Sequence, residues 1–80
     1  MTELENLRQE IDRLDTQIAK NIKMRLDIAA LIGKYKKENN LEITDKTRET
    51  KVIEKFVNIA GKNTESIITA IINASKEQEK

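Results

Sequence analysis

The feature that most restricts this chain is one apolar stripe running without a proline from Leu4 to about Lys37. Leu4, Leu7, Ile11, Leu14 and Ile18 alternate spacings of three and four, the repeat of a coiled-coil or bundle seam. Followed further, the same count meets Asn21 and Arg25 before Ile28, Ile32 and Tyr35 resume it. A guanidinium on an apolar stripe is costly to bury without an anionic partner. Something negative is therefore expected beside Arg25.

Thr2 and Glu5 form a capping box, which predicts a first helix beginning near Glu3, and Asn39-Asn40 ends it near Glu38. About 35 residues at ~1.5 Å rise make a rod of roughly 50 Å. A compact chain of 80 residues has a radius of gyration of only ~12 Å. The rod must project into solvent or be covered by a second copy, and the continuous seam favours the copy. Gly33, inside this helix, costs up to ~1 kcal/mol relative to alanine. It is either a tolerated defect or a point where a ligand or another backbone comes close.

Residues 40–44 read as a short connection. Thr44 or Asp45 then caps a second helix from Lys46 to Ala60, with Val52, Ile53, Phe56 and Val57 as its buried face. Gly61 is placed to end it in a left-handed conformation. Asn63 or Thr64 caps a third helix with Ile67, Ile68, Ile71 and Ile72 on its apolar face, and the polar tail from Lys76 to Lys80 is expected to fray. With no proline and two glycines, the expected class is all-α, one long helix and two short ones.

Eighty residues suggest a single domain over residues 1–80, short enough to need extra stabilisation. Cysteine and histidine are absent, so neither a disulfide framework nor the usual zinc sites are available. Association of identical chains is the remaining route to a larger core. Fifteen Lys+Arg against 14 Asp+Glu give a formal net charge of +1, which argues against binding nucleic acid by bulk charge. Aromatics that could stack bases are nearly absent from the chain, which disfavours a nucleic-acid role for the Lys34–Lys37 cluster. No apolar run reaches membrane-spanning length and no signal-peptide core is evident, so a soluble, cytoplasmic protein is expected.

On the long helix Arg25 and Lys36 differ by only ~20° in direction and lie about 16 Å apart with Ile32 between them. Arg8 is rotated ~100° from Arg25 and about 25 Å away along the axis. One straight helix therefore cannot bring Arg8 and Arg25 to the same small ligand, although an antiparallel pair of helices could. Taken alone, Arg8 and Lys36 fit a solvated surface with snorkelling stems, and Arg25 is the exception because of the seam. Asp45 alone fits a helix cap. Arg48 is less expected in a first turn, where the dipole disfavours cations, and beside free N–H groups it makes an anion-binding corner. Ser75 and Glu79 follow Ile71 at intervals of four, on the edge of an apolar face, in a run that is ordinarily solvated. Ser75 has no histidine or cysteine to activate it. No phosphate loop, dinucleotide fingerprint or metal-ligand cluster occurs. Cations converging on a helical core, with Glu49 as counterpoint, suit a small organic polyanion, and neither metal nor cofactor is expected.

Leu7-Arg8-Gln9-Glu10-Ile11-Asp12-Arg13-Leu14-Asp15, then Arg25, Ile32-Gly33-Lys34-Tyr35-Lys36 and Asp45-Lys46-Thr47-Arg48-Glu49 closely resemble the all-helical (AroQ-type) chorismate mutases. The resemblance covers nearly the whole chain in order. It implies an intertwined homodimer with antiparallel long helices, each site combining Arg25, Lys36, Asp45, Arg48, Glu49 and Ser75 of one chain with Arg8 of the other. It implies the pericyclic rearrangement of chorismate to prephenate, towards phenylalanine and tyrosine, with no covalent intermediate and no proton transfer. Arg8 and Arg25 would clamp the two substrate carboxylates, with Ser75 assisting at a carboxylate. Lys36 would donate to the ether oxygen, Glu49 would accept from the ring hydroxyl helped by backbone at Asp45, and Arg48 would add positive field. Ile32 and Ile72 would be apolar walls.

One position departs from the family's commonest pattern. Where a glutamine often donates to the ether oxygen, this chain has Glu79, with Gln78 one step away. An ionised glutamate cannot donate, so Glu79 is expected to work as the neutral acid, held so by burial. Two alternatives remain at this level: an isochorismate pyruvate lyase of the same fold, which Arg48-Glu49 and the long Lys36 helix disfavour, and a non-catalytic helical dimerisation module.

Overall fold

A computed structural model describes residues 2–80, and among them it contains three α-helices, a short 3-10 turn and no strand. Helix α1 spans Glu3–Glu38, α2 spans Lys46–Ala60 and α3 spans Glu65–Glu79, with the turn at Lys62–Thr64. The ends form for local reasons. Glu5 N–H donates to Thr2 Oγ1 at 3.1 Å to open α1, and Arg48 N–H donates to Asp45 Oδ1 at 3.0 Å to open α2. Helix α1 closes with Asn40 at φ 56°, Leu41 N–H reaching back to the Lys36 carbonyl at 2.8 Å, which is the Schellman arrangement with asparagine in place of glycine.

Two terminal expectations need correction. Gly61 does take a positive φ of 98°, but its ψ of 165° lies outside the left-handed helical region. Thr64 occupies the position before α3 without capping it, because its hydroxyl donates to the Gly61 carbonyl at 2.7 Å instead. A threonine hydroxyl has one hydrogen and several competing local acceptors, and here the turn takes it.

Helix α3 lies between the other two: it packs on α1 along one side and on α2 along the other, while among the described residues α1 and α2 do not pack directly. The core is small. Ile68 is fully buried, Val52 and Ile72 nearly so, and Ile53, Phe56 and Ile71 pack around them. Ile67, expected on the apolar face of α3, is exposed. The tail expected to fray instead completes α3, because Lys76 and Glu79 make ion pairs with α2 and α1.

The side of α1 that meets α3 is not the one that the large apolar residues suggest. Its buried residues are Ala29 and Gly33, whereas Ile28, Ile32 and Tyr35 remain substantially exposed. Small side chains let two helix backbones approach, and at Gly33 the approach is extreme. A Cβ there would stand 2.4 Å from the Glu79 carbonyl oxygen and 2.5 Å from its Cα. Of the two readings of Gly33, the close approach of a backbone is the one that holds. Gly33→Ala is therefore expected to push the end of α3 off α1. Overpacking of this kind costs about 1–3 kcal/mol, more than the ~1 kcal/mol gained by alanine in a helix. A thermal melt should show Tm lower by roughly 5–10 °C; a melt at or above that of the parent chain would mean that the contact is not limiting.

The N-terminal half of α1 runs on past α3. The protomer measures 56 × 23 × 14 Å with a radius of gyration of 16.0 Å, well above the ~12 Å of a compact chain this long. Along the overhang Leu4, Leu7, Ile11, Leu14 and Ile18 are each between 43% and 55% exposed. No helix among the described residues is long and apolar enough to cross a membrane.

Candidate active site

A cleft of about 390 Å³ opens between α1 and α2, with α3 as its floor. That is ample for a small ligand and near the lower end of ordinary binding pockets. Helix α1 contributes Arg25, Ile32 and Lys36, the start of α2 contributes Asp45, Arg48 and Glu49, and α3 contributes Ile72, Ser75 and Glu79. These nine sequence candidates come from three stretches of chain, and the helix periodicity brings them to one place. Arg8 does not join them: it is exposed on the overhang, about 25 Å from Arg25 along the axis.

Five further residues line the cleft: Ile28, Ala29, Ile43, Val52 and Lys76. The first four add apolar wall. Lys76 is the functional group that the sequence reading passed over, assigned to a fraying tail. A usable signal was present, since Lys76 follows Ile72 by four, as Ile72 follows Ile68, and so continues the buried stripe of α3.

The polar groups hold one another in a specific pattern. Arg25 Nη1 donates to Ser75 Oγ, and Ser75 Oγ in turn donates to the Ile71 carbonyl at 2.8 Å. Ser75, itself buried, thus props the guanidinium and spends its only hydrogen on its own helix. Lys36 Nζ donates to the Ile43 carbonyl at 2.7 Å and to Glu79 Oε1 at 2.9 Å. An ammonium has three hydrogens, so one remains for a ligand. Lys76 Nζ lies 2.9 Å from Glu49 Oε2. The approach lacks the alignment of a hydrogen bond, and Oε2 is shut off from solvent with no donor.

Four cationic and three acidic side chains face the cleft, a surplus of one positive charge. The arrangement has no nucleophile beside a base, and no cluster of acidic residues able to hold a metal occurs among the described residues. What it offers is charge at fixed positions: fork donors in Arg25 and Arg48, a point donor in Lys36, and a carboxylate acceptor on Glu49.

Residues 7–80 match the family described as chorismate mutase type II. The chain belongs to that family. Chorismate mutase relatives agree over a shorter range. The chain is 39% identical over 59 residues to the bifunctional chorismate mutase/prephenate dehydratase of Aquifex aeolicus, covering 74% of this chain and 16% of that protein. It is 39% identical over 54 residues to the intracellular chorismate mutase of Mycobacterium tuberculosis, covering 68% of this chain and 51% of that one. The chain thus spans about half the length of the mycobacterial protein. A solved structure of a conserved hypothetical protein from Pyrococcus furiosus superposes with a TM-score of 0.91 at 40% identity, over 100% of this chain and 99% of that one.

Proposed function

We propose that the chain is a chorismate mutase that rearranges chorismate to prephenate in a site shared between two copies. The observation that carries the reading is the gathering of Arg25, Lys36, Arg48 and Glu49 on one cleft of the right size for a small dianion. The reaction breaks the ether C–O bond and forms a C–C bond within one molecule. The protein needs no acid, base or nucleophile for it; it must hold a folded conformer and stabilise charge as the ether oxygen becomes negative.

Arg25, propped by Ser75, takes one substrate carboxylate. Ser75 serves as the prop in place of direct contact with the substrate, since its hydrogen is already used at Ile71. The remaining hydrogen of Lys36 is directed to the ether oxygen. Glu49, whose Oε2 faces Lys76, accepts from the ring hydroxyl with its other carboxylate oxygen. Arg48 supplies positive field at the mouth of the cleft, with Asp45 beside it, and Ile32 and Ile72 favour the folded conformer.

The second carboxylate requires a second arginine, and the partner's Arg8 is the candidate. Two features support the pairing. The stripe from Leu4 to Ile18 leaves about 21 Å of apolar helix uncovered, and a contiguous apolar patch of this kind marks an interaction surface. An antiparallel copy would cover that stripe and carry its own Arg8 towards the open cleft. The site is thus incomplete in one chain.

A spectrophotometric chorismate-depletion assay, run beside a mass measurement in solution, tests the reading. Turnover to prephenate by a dimer is expected; a folded chain that leaves chorismate untouched would overturn it, and release of pyruvate from isochorismate alone would replace it with the lyase.

Glu79 stands beside the donor at the ether oxygen: its Oε1 accepts from Lys36 Nζ at 2.9 Å, which fixes where the ammonium points. Glu79→Gln keeps an oxygen for Lys36 and brings an N–H donor of its own, so its kcat/KM should be no more than about threefold below the parent, whereas Glu79→Ala, which frees the ammonium, should lower it about tenfold. An unchanged kcat/KM in Glu79→Ala would remove Glu79 from the chemistry.

A further inference from the structure

Lys76 has no part in the reaction as laid out above, yet it is a cleft residue with a defined partner. Its ammonium and the Glu49 carboxylate are 2.9 Å apart, with side chains only 23% and 21% exposed. Half-buried charges of this kind interact more strongly than surface pairs, because less water screens them. The contact is nevertheless incomplete. Glu49 Oε2 receives charge from Lys76 but no aligned hydrogen, and water does not reach it. A carboxylate oxygen withdrawn from water is costly unless a cation stands beside it, and here that cation is the Lys76 ammonium.

The position of Lys76 in the fold makes the pairing possible. Ile68, Ile72 and Lys76 follow one another at intervals of four along α3, so Lys76 stands one turn beyond the core, over the first turn of α2. Glu49 lies one turn before Val52 and Ile53 of that same core. The packing of α3 on α2 therefore sets the ammonium beside the carboxylate, just where the cleft begins. Apart from this cation, the cations facing the cleft would only equal its carboxylates in number. Glu49 presents a negative charge to a ligand that is itself doubly negative, and an adjacent cation offsets that repulsion.

We propose that Lys76 is a positioning residue of the active site: it holds the Glu49 carboxylate by the buried Oε2 and offsets its charge, leaving the other carboxylate oxygen to the hydroxyl of the substrate. The inference rests on the chorismate mutase reading and extends it to a residue outside the family-matched set. Lys76 acts through Glu49, so its removal weakens the hold on substrate before and during the reaction alike. Such uniform binding appears in KM more than in kcat.

The test is a double-mutant cycle on the full chain with chorismate as the probe. Lys76→Gln should raise KM about tenfold with kcat within roughly twofold of wild type. Lys76→Arg, which keeps the charge, should return KM to within about threefold. In a Glu49→Gln background the same Lys76→Gln change should move KM by less than about twofold, since there is no carboxylate left to hold. Lys76→Met, which keeps the stem and drops the charge, guards against a variant that fails to fold and should match Lys76→Gln. An effect on KM that persists undiminished without Glu49 would overturn the proposal, as would a drop in Tm with KM unmoved. A wild-type chain inert towards chorismate would overturn the function and this inference together, whereas an active wild type with an unchanged Lys76→Gln overturns the inference alone.

Discussion

Arg25→Ala is expected to lower kcat/KM for chorismate about a thousandfold, or ~4 kcal/mol of transition-state stabilisation. The guanidinium sits within the cleft with Ser75 behind it, and its fork is free to meet a carboxylate on the other side. Truncation removes both hydrogen-bonding arms and most of the local positive charge. Folding should suffer little, because the hydroxyl of Ser75 keeps its bond to the Ile71 carbonyl. The measurement is chorismate depletion paired with a thermal melt. If Arg25 were surface decoration on a dimerisation module, its loss would leave the rate within about threefold of the parent, and that result would sink the catalytic reading.

The second large effect comes from mixing two defective chains. Arg8→Ala and Arg25→Ala homodimers should each be nearly inactive, since every site in each lacks one of its arginines. Unfolded together and refolded, the two chains form mixed dimers in which one site has both defects and the other has neither. With equal amounts and random pairing, half the dimers are mixed and half of their sites are intact, so about a quarter of wild-type activity should return. A site contained within one protomer predicts no recovery at all. The same outcome would follow if the overhang of α1 were covered by some other protein. Recovery of activity is thus a direct reading of where the missing arginine comes from.

Both experiments depend on residues that were visible in the sequence, and the reasons differ. Helix α1 was legible because its spacing persists for ten turns and Thr2 caps it by a purely local bond. Asp45 was legible for the same reason at α2. The nine cleft residues shared by one protomer followed from helical periodicity together with a family resemblance; periodicity alone left most of them as solvated surface. Three features were hidden because they depend on what lies opposite. Ala29 and Gly33 became the face against α3 only because small residues permit a close backbone contact, while the pattern of large apolar residues pointed to Ile28, Ile32 and Tyr35. Thr64 had a choice of acceptors that sequence does not rank. Lys76 has its partner 27 positions upstream, and nothing local announces such a pairing.

The contact at Gly33 also acts as a ruler. The end of α3 rests where a side chain is missing, while Arg25 and Lys36 reach their partners from positions eight residues before it and three after. Each residue of helix adds ~100° of rotation. Inserting a single residue between Arg25 and Gly33 would swing the one bare spot on the rod away from Glu79 or turn Arg25 out of the cleft. The eight-residue interval is therefore a measured length, intolerant of additions or deletions even where each side chain along it could be exchanged.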